Sequence, residues 1–249
     1  MVALDGIPVR DCTYCCGRTK SICNAIEEKD LPRLLAASSR LHLPSGRIFI
    51  EEGESAQAFY VIAEGRAKLF NLFSDGRRQI SGFVATGDFL GLAASERYAF
   101  SAEALGDIKL CRFAYETMDH LTEQFPHLQK RLRAEASREL VKMQARLVLL
   151  GRKSARERLA SFFIEQACCS EDGLEEALNQ RKNLSIPPVI SLFLPMSRSD
   201  IADYLGLTIE TVSRTLKIFK AEGLIKIQDV KTVTLLNTVR LKFISEGNN

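Results

Sequence analysis

The chain has 249 residues and a formal net charge of +3, and 46% of its residues are hydrophobic. That length fits one large domain or two of ordinary size. No apolar run approaches the roughly 20 residues that cross a bilayer, and the first residues lack the basic and then apolar pattern of a signal peptide. We therefore expect a cytoplasmic protein with no membrane partner.

Residues 1–23 form a cysteine-rich segment that holds four of the seven cysteines, Cys12, Cys15, Cys16 and Cys23. Disulfides are not expected, because thiols stay reduced in the cytoplasm. Crowded thiolates can instead bind a zinc ion or an iron–sulfur cluster, with Arg18 and Lys20 offsetting part of the charge. The spacing does not decide between the two metals. A loose tail with incidental cysteines is the alternative, since only one Cys-x-x-Cys pair is present.

Residues 24–124 have the pattern of a small β-barrel. Short apolar segments alternate with glycine-containing turns, as in an antiparallel barrel or jelly roll. The predicted strands are residues 47–50, 59–62, 67–73, 79–83 and 108–113. Cys111 lies in the last of these strands, where an isolated cysteine is most often a small buried hydrophobic residue.

Residues 125–151 predict one long helix. Pro126 suits its first turn, and Gly151 is expected to end it. Apolar residues recur every three or four positions and form one stripe. Such a stripe most simply packs against its own copy in a two-fold dimer, and packing on its own domain is the alternative. The predicted dimer seam comprises Leu132, Ala136, Leu140, Met143, Leu147 and Leu150.

Residues 152–249 begin with a further helix, which is predicted to bury Leu159, Phe162, Phe163 and Ala167. Residues 170–176 are acidic and predict a loop, and residues 183–188 predict an extended connection. From residue 125 onward basic residues outnumber acidic ones, as phosphate binding requires.

Two short helices are predicted to meet at Gly206. Ser197 and Asp200 have the spacing of an N-terminal capping box on the first helix, and Thr208 can cap the second. This is the pattern of a helix-turn-helix, whose second helix enters the major groove of DNA. A hairpin over residues 223–236 is expected to act as a wing beside it.

The second of these helices has a polar face opposite Val212, Leu216 and Phe219. Arginine can pair with guanine and glutamate with cytosine, so the polar face suits a half-site with a central G·C pair. An ordinary solvated helix face is the alternative. The predicted DNA contacts are Ser197, Glu210, Thr211, Ser213 and Arg214.

This order of parts resembles the cyclic-AMP receptor and FNR superfamily of bacterial transcription regulators. The matching phrases are residues 53–62, 64–65, 87–91 and 205–214, and the resemblance covers residues 12–236. It implies an α+β fold with an N-terminal jelly-roll β-barrel of the cyclic-nucleotide-binding type, a long dimerisation helix and a C-terminal winged helix-turn-helix. It also implies a homodimer on palindromic double-stranded DNA, with RNA polymerase as a further partner.

An enzyme is not favoured by the residues available for catalysis. The only histidines are His42, His120 and His127, and none lies in a recognisable metal or catalytic motif.

Within the superfamily, the residues point to the FNR branch. Nucleotide-binding members have a carboxylate directly after the glycine that here is Gly91, and an arginine followed by Ser or Thr. This chain has no carboxylate after Gly91 and has Tyr98 after Arg97, so no cyclic nucleotide is expected. The Glu-x-x-Ser-Arg pattern of residues 210–214 is that of FNR and implies TTGAT half-sites in an inverted repeat.

FNR-type oxygen sensors bind a 4Fe-4S cluster through three N-terminal cysteines and one at the end of the barrel. The resemblance implies Cys12, Cys15, Cys23 and Cys111 as ligands here, with Cys16 as an alternative to Cys15. It further implies that oxygen destroys the cluster and shifts the protein toward a monomer or a misaligned dimer. Cys168 and Cys169 match no ligand position.

One seam residue departs from the oxygen-switched pattern. Those relatives have an acidic residue where this chain has Met143, so the switch is expected to depend on Glu139 or on helix geometry. The rival interpretation is a cluster-free or haem-containing, nitric-oxide-sensing relative, with the cysteines reactive or bound to zinc.

Overall fold

The computed structural model describes residues 12–91, 96–168 and 189–248. The chain divides into two compact units. The first comprises Met1–Gly76 and Ser81–Val141, and the second comprises Arg77–Ile80 and Lys142–Asn249. Within the described residues, no helix combines the length and the apolar character that a membrane span needs.

The N-terminal part of the chain contains a jelly-roll barrel of two sheets, as predicted, which lies in the first unit except for the first three residues of its fifth strand. Its strands are β1 (Ser39–Leu43), β2 (Ile48–Ile50), β3 (Ala58–Glu64), β4 (Arg66–Leu72), β5 (Arg78–Ala85), β6 (Phe89–Leu90), β7 (Ser101–Ala104) and β8 (Ile108–Ala114). One sheet has the order β1-β8-β3-β6 and the other the order β2-β7-β4-β5. Neighbouring strands such as β3 and β8, or β4 and β7, are antiparallel.

The core of the barrel lies between the two sheets, because alternate side chains of each strand point inward. Ile62 and Leu110 from the first sheet pack with Ala67 and Ala102 from the second. The next residues along β4 and β7 point the opposite way. Lys68 and Glu103 are directly opposite each other there and form an ion pair, with 3.0 Å between Lys68 Nζ and Glu103 Oε1.

A second hydrophobic cluster joins the barrel to the N-terminal segment and three helices. These helices are α1 (Leu31–Ala36), α2 (Tyr115–Gln124) and α3 (Pro126–Arg152). Phe59 and Phe113 contribute from the strands, and Ile22 contributes from the cysteine-rich segment. Leu128 in the first turn of α3 is fully buried in the same cluster, and Leu132 packs against it.

Helix α3 begins at Pro126, as predicted, but Gly151 does not end it. The helix continues to Arg152, one residue further. Arg158 Nη2, from the next helix, donates a hydrogen bond to the backbone carbonyl of Leu150 at 2.9 Å. One of the carbonyls left unpaired at this helix end is therefore satisfied by a side chain.

The second unit contains the predicted winged helix-turn-helix. Its elements are α4 (Ala155–Cys168), β9 (Ile190–Phe193), α5 (Arg198–Leu205), α6 (Ile209–Ala221), β10 (Ile225–Ile227), β11 (Thr232–Leu235) and α7 (Thr238–Ser245). Helix α4 buries Leu159, Phe162, Phe163 and Ala167, as predicted. Strands β10 and β11 form the predicted hairpin, and β9 adds a third strand beside β11.

Seven of the helices and strands described above were not predicted from the sequence, and the short helices α1 and α2 are two of them. Strand β7 has the sequence Ser-Ala-Glu-Ala, which lacks the β-branched and aromatic residues typical of strands. Strand β6 is two residues long, β1 is largely exposed, and β9 follows residues that predict only a connection. Helix α7 has apolar residues on both its buried and its exposed side, which hides the helical period. The predicted loop at 170–176 and the connection at 183–188 lie outside the described residues.

Candidate nucleic-acid interface and cysteine site

Helix α5 begins with the predicted capping box. Ser197 Oγ accepts a hydrogen bond from the Asp200 backbone N–H at 3.0 Å, and Asp200 Oδ2 accepts one from the Ser197 backbone N–H at 2.9 Å. The Ser197 hydroxyl donates to Asp200 Oδ2 at 2.7 Å. Ser197 is also a predicted DNA contact, and it is exposed at the start of the helix with its hydroxyl engaged in the cap.

The turn between α5 and α6 is short and well defined. Gly206 has φ of 60°, a left-handed conformation that glycine adopts without the steric cost of a Cβ. Thr208 then caps α6, because its side chain accepts a hydrogen bond from the Thr211 backbone N–H at 3.2 Å. Since residues 206–208 are the only link between the two helices, the end of α5 sets where α6 begins.

Helix α6 presents a polar face opposite a buried one. Its buried residues are Val212, Thr215, Leu216 and Phe219. Glu210 and Arg214 are exposed, and Ser213 and Thr211 are partly exposed. The predicted trio of Glu210, Ser213 and Arg214 therefore lies on the accessible side. The structure brings these three residues together on one helical surface.

Glu210 is held in its charged form at the start of α6. Hydrogen bonds from its own backbone N–H and from Thr208 lower the pKa of its carboxyl below the usual range. The positive end of the helix dipole acts in the same direction. An ionised carboxylate can only accept hydrogen bonds, which suits the amino group of cytosine and repels phosphate.

The wing has a rigid tip. Asp229 Oδ1 accepts hydrogen bonds from the backbone N–H groups of Lys231 at 2.7 Å and Thr232 at 2.8 Å, which closes the turn between β10 and β11. Val230 and Lys231 are exposed at this tip. A fixed loop with an exposed lysine can contact a DNA backbone without a large ordering cost.

The predicted dimer seam contains residues that are exposed and residues that pack on other parts of the chain, and the exposed ones lie in its middle. Leu140, Met143 and Leu147 are exposed along α3, and Val141 and Val148 beside them extend the apolar surface. The two valines, which lie one position after Leu140 and Leu147 on the helix, are not part of the predicted seam.

The residues at the two ends of the predicted seam pack on other parts of the same chain. Leu132 packs on the second hydrophobic cluster, and Leu150 is half-buried beside Gly206, with its Cδ2 3.4 Å from where a Cβ on that glycine would lie. Ala136 is partly exposed. The exposed apolar part of α3 is therefore limited to residues 140–148.

Residues 12–23, the described part of the cysteine-rich segment, are docked on the barrel and are not a loose tail. Cys12 and Cys23 pack against the second hydrophobic cluster together with Cys111 of β8. The segment approaches the barrel closely at Gly17, where a Cβ would lie 2.9 Å from the carbonyl oxygen of Ile62. This docking brings thiols from two distant parts of the sequence to one place.

Cys12, Cys15, Cys23 and Cys111 influence one another electrostatically, whereas Cys16 is exposed. Burial, together with Cys12 and Cys15, raises the pKa of Cys23 to about 11. Burial, together with the other three thiols, raises the pKa of Cys111 to about 12. In the described parts of the chain, no three His, Cys, Asp or Glu side chains are arranged to hold a metal ion.

Arg40, which was not among the predicted site residues, lies beside these thiols. Arg40 of β1 is directly opposite Cys111 of β8, and its Nη2 lies 3.8 Å from Cys12 Sγ. Its charge lowers the pKa of Cys111 and so opposes the effect of burial. Arg18, which was expected in this role, instead donates to Glu28 and to the Ile26 carbonyl. Arg40 belongs to no motif, and only the pairing of β1 with β8 identifies it.

Two family models match the chain. Residues 40–125 match the cyclic nucleotide-binding domain, and residues 194–225 match the bacterial regulatory proteins of the crp family. The first match covers most of the barrel, and the second covers the helix-turn-helix.

Several relatives are similar over most of their length. The nitrogen fixation regulation protein FixK of Bradyrhizobium diazoefficiens is 40% identical over 87% of this chain and 86% of its own. The transcriptional activatory protein AadR of Rhodopseudomonas palustris is 38% identical over 86% and 85%. The transcriptional activator protein anr of Pseudomonas aeruginosa is 31% identical over 82% and 80%.

The fold is also that of a solved relative. The structure of FixK2 from Bradyrhizobium japonicum covers 83% of this chain and 96% of its own, with a TM-score of 0.71 and 30% identity. Regulators of this family bind DNA and act as dimers. The chain therefore belongs to the crp family of bacterial regulatory proteins, in the superfamily of the cyclic-AMP receptor and FNR, and is a DNA-binding transcription regulator and not an enzyme.

Proposed function

We propose that this regulator responds to oxygen and binds an inverted TTGAT-type repeat as a homodimer, with a 4Fe-4S cluster held by Cys12, Cys15, Cys23 and Cys111. The observation that carries the proposal is the convergence of these four thiols beside the hydrophobic cluster that also holds the first turns of α3. In this proposal the protein acts in the cytoplasm and activates transcription through contact with RNA polymerase.

The reading of DNA rests on the exposed face of α6. Arg214 can donate two hydrogen bonds to guanine, and Glu210 can accept one from cytosine, so the two can recognise a G·C pair from opposite strands. Ser213 and Thr211 flank them, and Ser197 lies at the start of α5, where a hydroxyl or backbone N–H can meet phosphate. Two copies related by a two-fold axis would place two such faces on a palindrome.

The number and type of the four cysteine side chains match the ligands that a 4Fe-4S cluster needs. A 4Fe-4S cluster takes four cysteine thiolates, one for each iron, so its ligands surround a cage and not a single ion. Thiols around such a cage need not form a mononuclear site. Bound here, the cluster would supply an oxygen-labile link between residues 12–23 and β8. The high pKa values mean that binding must displace protons from Cys23 and Cys111.

The protein's own residues can carry a change from the thiols to α3. Cys12, Cys23 and Cys111 pack on the cluster that contains Leu128 and Leu132 of that helix. A shift of the cysteine-rich segment would therefore change the packing of the first turns of α3. The seam residue Met143 is apolar, so the link to dimerisation would run through this packing or through Glu139, and not through repulsion at position 143.

The proposed regulator does not need a cyclic nucleotide. Arg97, which in nucleotide-binding members would meet the phosphate, donates from Nη1 to the backbone carbonyl of Gly53 at 2.6 Å. Tyr98 donates its hydroxyl to the Ala58 carbonyl at 2.7 Å and is buried. Tyr98 therefore braces the barrel from within at this position, and the exposed Arg97 is bonded to the backbone of the barrel.

A second candidate is a regulator that binds the same kind of DNA without an iron–sulfur cluster. It is favoured by one observation, that the described thiols are not arranged to hold a metal ion. In that case Cys12, Cys15, Cys23 and Cys111 would serve zinc, redox chemistry or packing, or a haem elsewhere would sense nitric oxide.

The test is iron and sulfide analysis with a visible spectrum of protein purified without oxygen. We expect about four irons per chain and a broad visible band that bleaches in air. Cys23→Ser and Cys111→Ser should lose the iron, whereas Cys16→Ser, at an exposed neighbouring thiol, should keep it. Colourless wild-type protein that still binds a TTGAT palindrome would leave the second candidate.

A further inference from the structure

The C-terminal end of α5 is held by side chains from outside the helix-turn-helix. Four backbone carbonyls at this end, those of residues 203–206, have no partner within a helix turn, as at any helix terminus. Gln79 Nε2 donates to the Asp203 carbonyl at 2.6 Å, and Arg146 Nη2 donates to the Tyr204 carbonyl at 2.7 Å. Arg158 Nη1 donates to the Leu205 carbonyl at 2.9 Å and lies 3.4 Å from the Gly206 carbonyl.

Arg146 makes this contact from the second half of α3. Its guanidinium carbon lies 4.0 Å from the centroid of the Tyr204 ring, and Tyr204 in turn donates its hydroxyl to Glu165 of α4 at 2.7 Å. The same Arg146 nitrogen also donates to the Ile80 carbonyl. The guanidinium is partly removed from water, and this burial lowers the pKa of Arg146. The half-buried charge is in contact with a ring and a helix end, which are both electron-rich.

Arg158 joins the ends of two helices. Its Nη2 donates to the Leu150 carbonyl near the end of α3, and its Nε donates to the Lys153 carbonyl, both at 2.9 Å. Its Nη1 holds the end of α5 at the same time. The planar guanidinium can span both sites because its donors diverge from one rigid group, which a lysine ammonium cannot reproduce. Leu150 packs beside the same turn, close to Gly206.

These contacts affect the position of α6, the helix predicted to contact DNA bases, through a three-residue turn. Residues 206–208 connect α5 to α6, so a fixed end of α5 fixes the start of α6. Arg146 belongs to the exposed apolar stretch of α3, and Arg158 bonds to Leu150 just after it. The angle between α6 and residues 142–152 of α3, which belong to the same compact unit, therefore depends on the two arginines.

We propose that Arg146 and Arg158 are positioning residues that set the orientation of α6 relative to residues 142–152 of α3, and with it the half-site spacing that a dimer accepts. Neither residue needs to touch a base in this role. The proposal rests on DNA reading by a dimer and not on the cysteine site, so the loss of the cluster hypothesis would leave it intact.

The test measures spacing selectivity and not affinity alone. Wild-type protein first selects its preferred palindrome from a random duplex pool, so the assay does not presuppose TTGAT. Dissociation constants are then measured for that site and for versions with one base pair added to or removed from the spacer. For Arg146→Met and Arg158→Lys, we expect the ratio between preferred and altered spacers to fall by about ten-fold, the scale of one charge-assisted hydrogen bond.

Two controls separate positioning from general damage. Arg138→Met removes an exposed arginine of α3 that pairs only with Glu135 among the ion pairs described, and it should leave the spacer ratio unchanged. Affinity for nonspecific DNA and for a single half-site should change little in the Arg146 and Arg158 variants. If these variants fold and bind but keep the wild-type spacer ratio, the proposal is wrong. If affinity falls equally for every duplex, the two arginines act as phosphate contacts or structural residues and the proposal also fails.

Discussion

Replacing Leu147 by alanine should weaken the dimer strongly. Leu147 is 74% exposed on α3, so most of its side chain is available for burial against a second copy. Complete burial of a leucine side chain stabilises by about 1.5–3 kcal/mol, which gives about 1–2 kcal/mol for the available part. A two-fold axis buries the residue twice, so the dimer should lose about 2–4 kcal/mol. The dissociation constant should rise by roughly 30-fold to several hundred-fold.

Sedimentation equilibrium over a range of protein concentrations would measure this change. The matched control is Leu72→Ala at the end of β4, because Leu72 is 62% exposed and the substitution removes the same atoms. This variant should dimerise like the wild-type protein. Equal dimer affinity for wild type, Leu147→Ala and Leu72→Ala would refute the assignment of residues 140–148 as the seam.

Three further changes test the DNA-binding unit. Arg214→Ala should cost about 1–3 kcal/mol on the specific site and little on nonspecific DNA in a binding titration, and a uniform loss on all sequences would instead indicate a phosphate contact. Ser197→Ala should lower the free energy of unfolding by about 1 kcal/mol in a urea titration because α5 loses its cap, whereas Ser197→Asn should retain most of the stability. Glu222→Gln should reduce stability at neutral pH, because a hydrogen bond from Arg156 lowers the pKa of Glu222 below its ordinary value of 4.5. That contribution to stability is present above pH 4.5 and is lost as the pH falls through the lower, folded-state pKa, so the free energies of unfolding of wild type and variant should converge in acid. Since the Glu222 side chain is well exposed, the difference at neutral pH should be small. A difference that widens toward low pH would contradict this reasoning.

Local sequence patterns predicted the elements whose stabilising contacts are local. The capping box of Ser197 and Asp200, the turn at Gly206 and the start of α3 at Pro126 each depend on residues within a few positions of one another. Helix α3 ends at Arg152, one residue after Gly151, and the contact of Arg158 with the Leu150 carbonyl at this end is one that no local pattern encodes.

The candidate sites could be predicted only in part for the same reason. The polar face of α6 follows from helical periodicity and is visible in the sequence. The exposed stretch of α3 is not, because Leu132 and Leu150 have the same spacing as Leu140 and Leu147 but pack on other parts of the chain. Arg40 beside the thiols depends on the pairing of β1 with β8, which no local pattern encodes.

The close contact of Gly17 with the barrel has a consequence for protein engineering. Residues 12–26 supply Ile22 and Ile26 to a hydrophobic cluster, and both side chains are almost fully buried. A shortened chain that starts after this segment would leave apolar surface of β3, β8 and α3 open to water and prone to association. Deletion would then combine the loss of the thiols with damage to the barrel. Single cysteine-to-serine replacements keep that surface covered, and so they separate the chemistry of the segment from its contribution to folding.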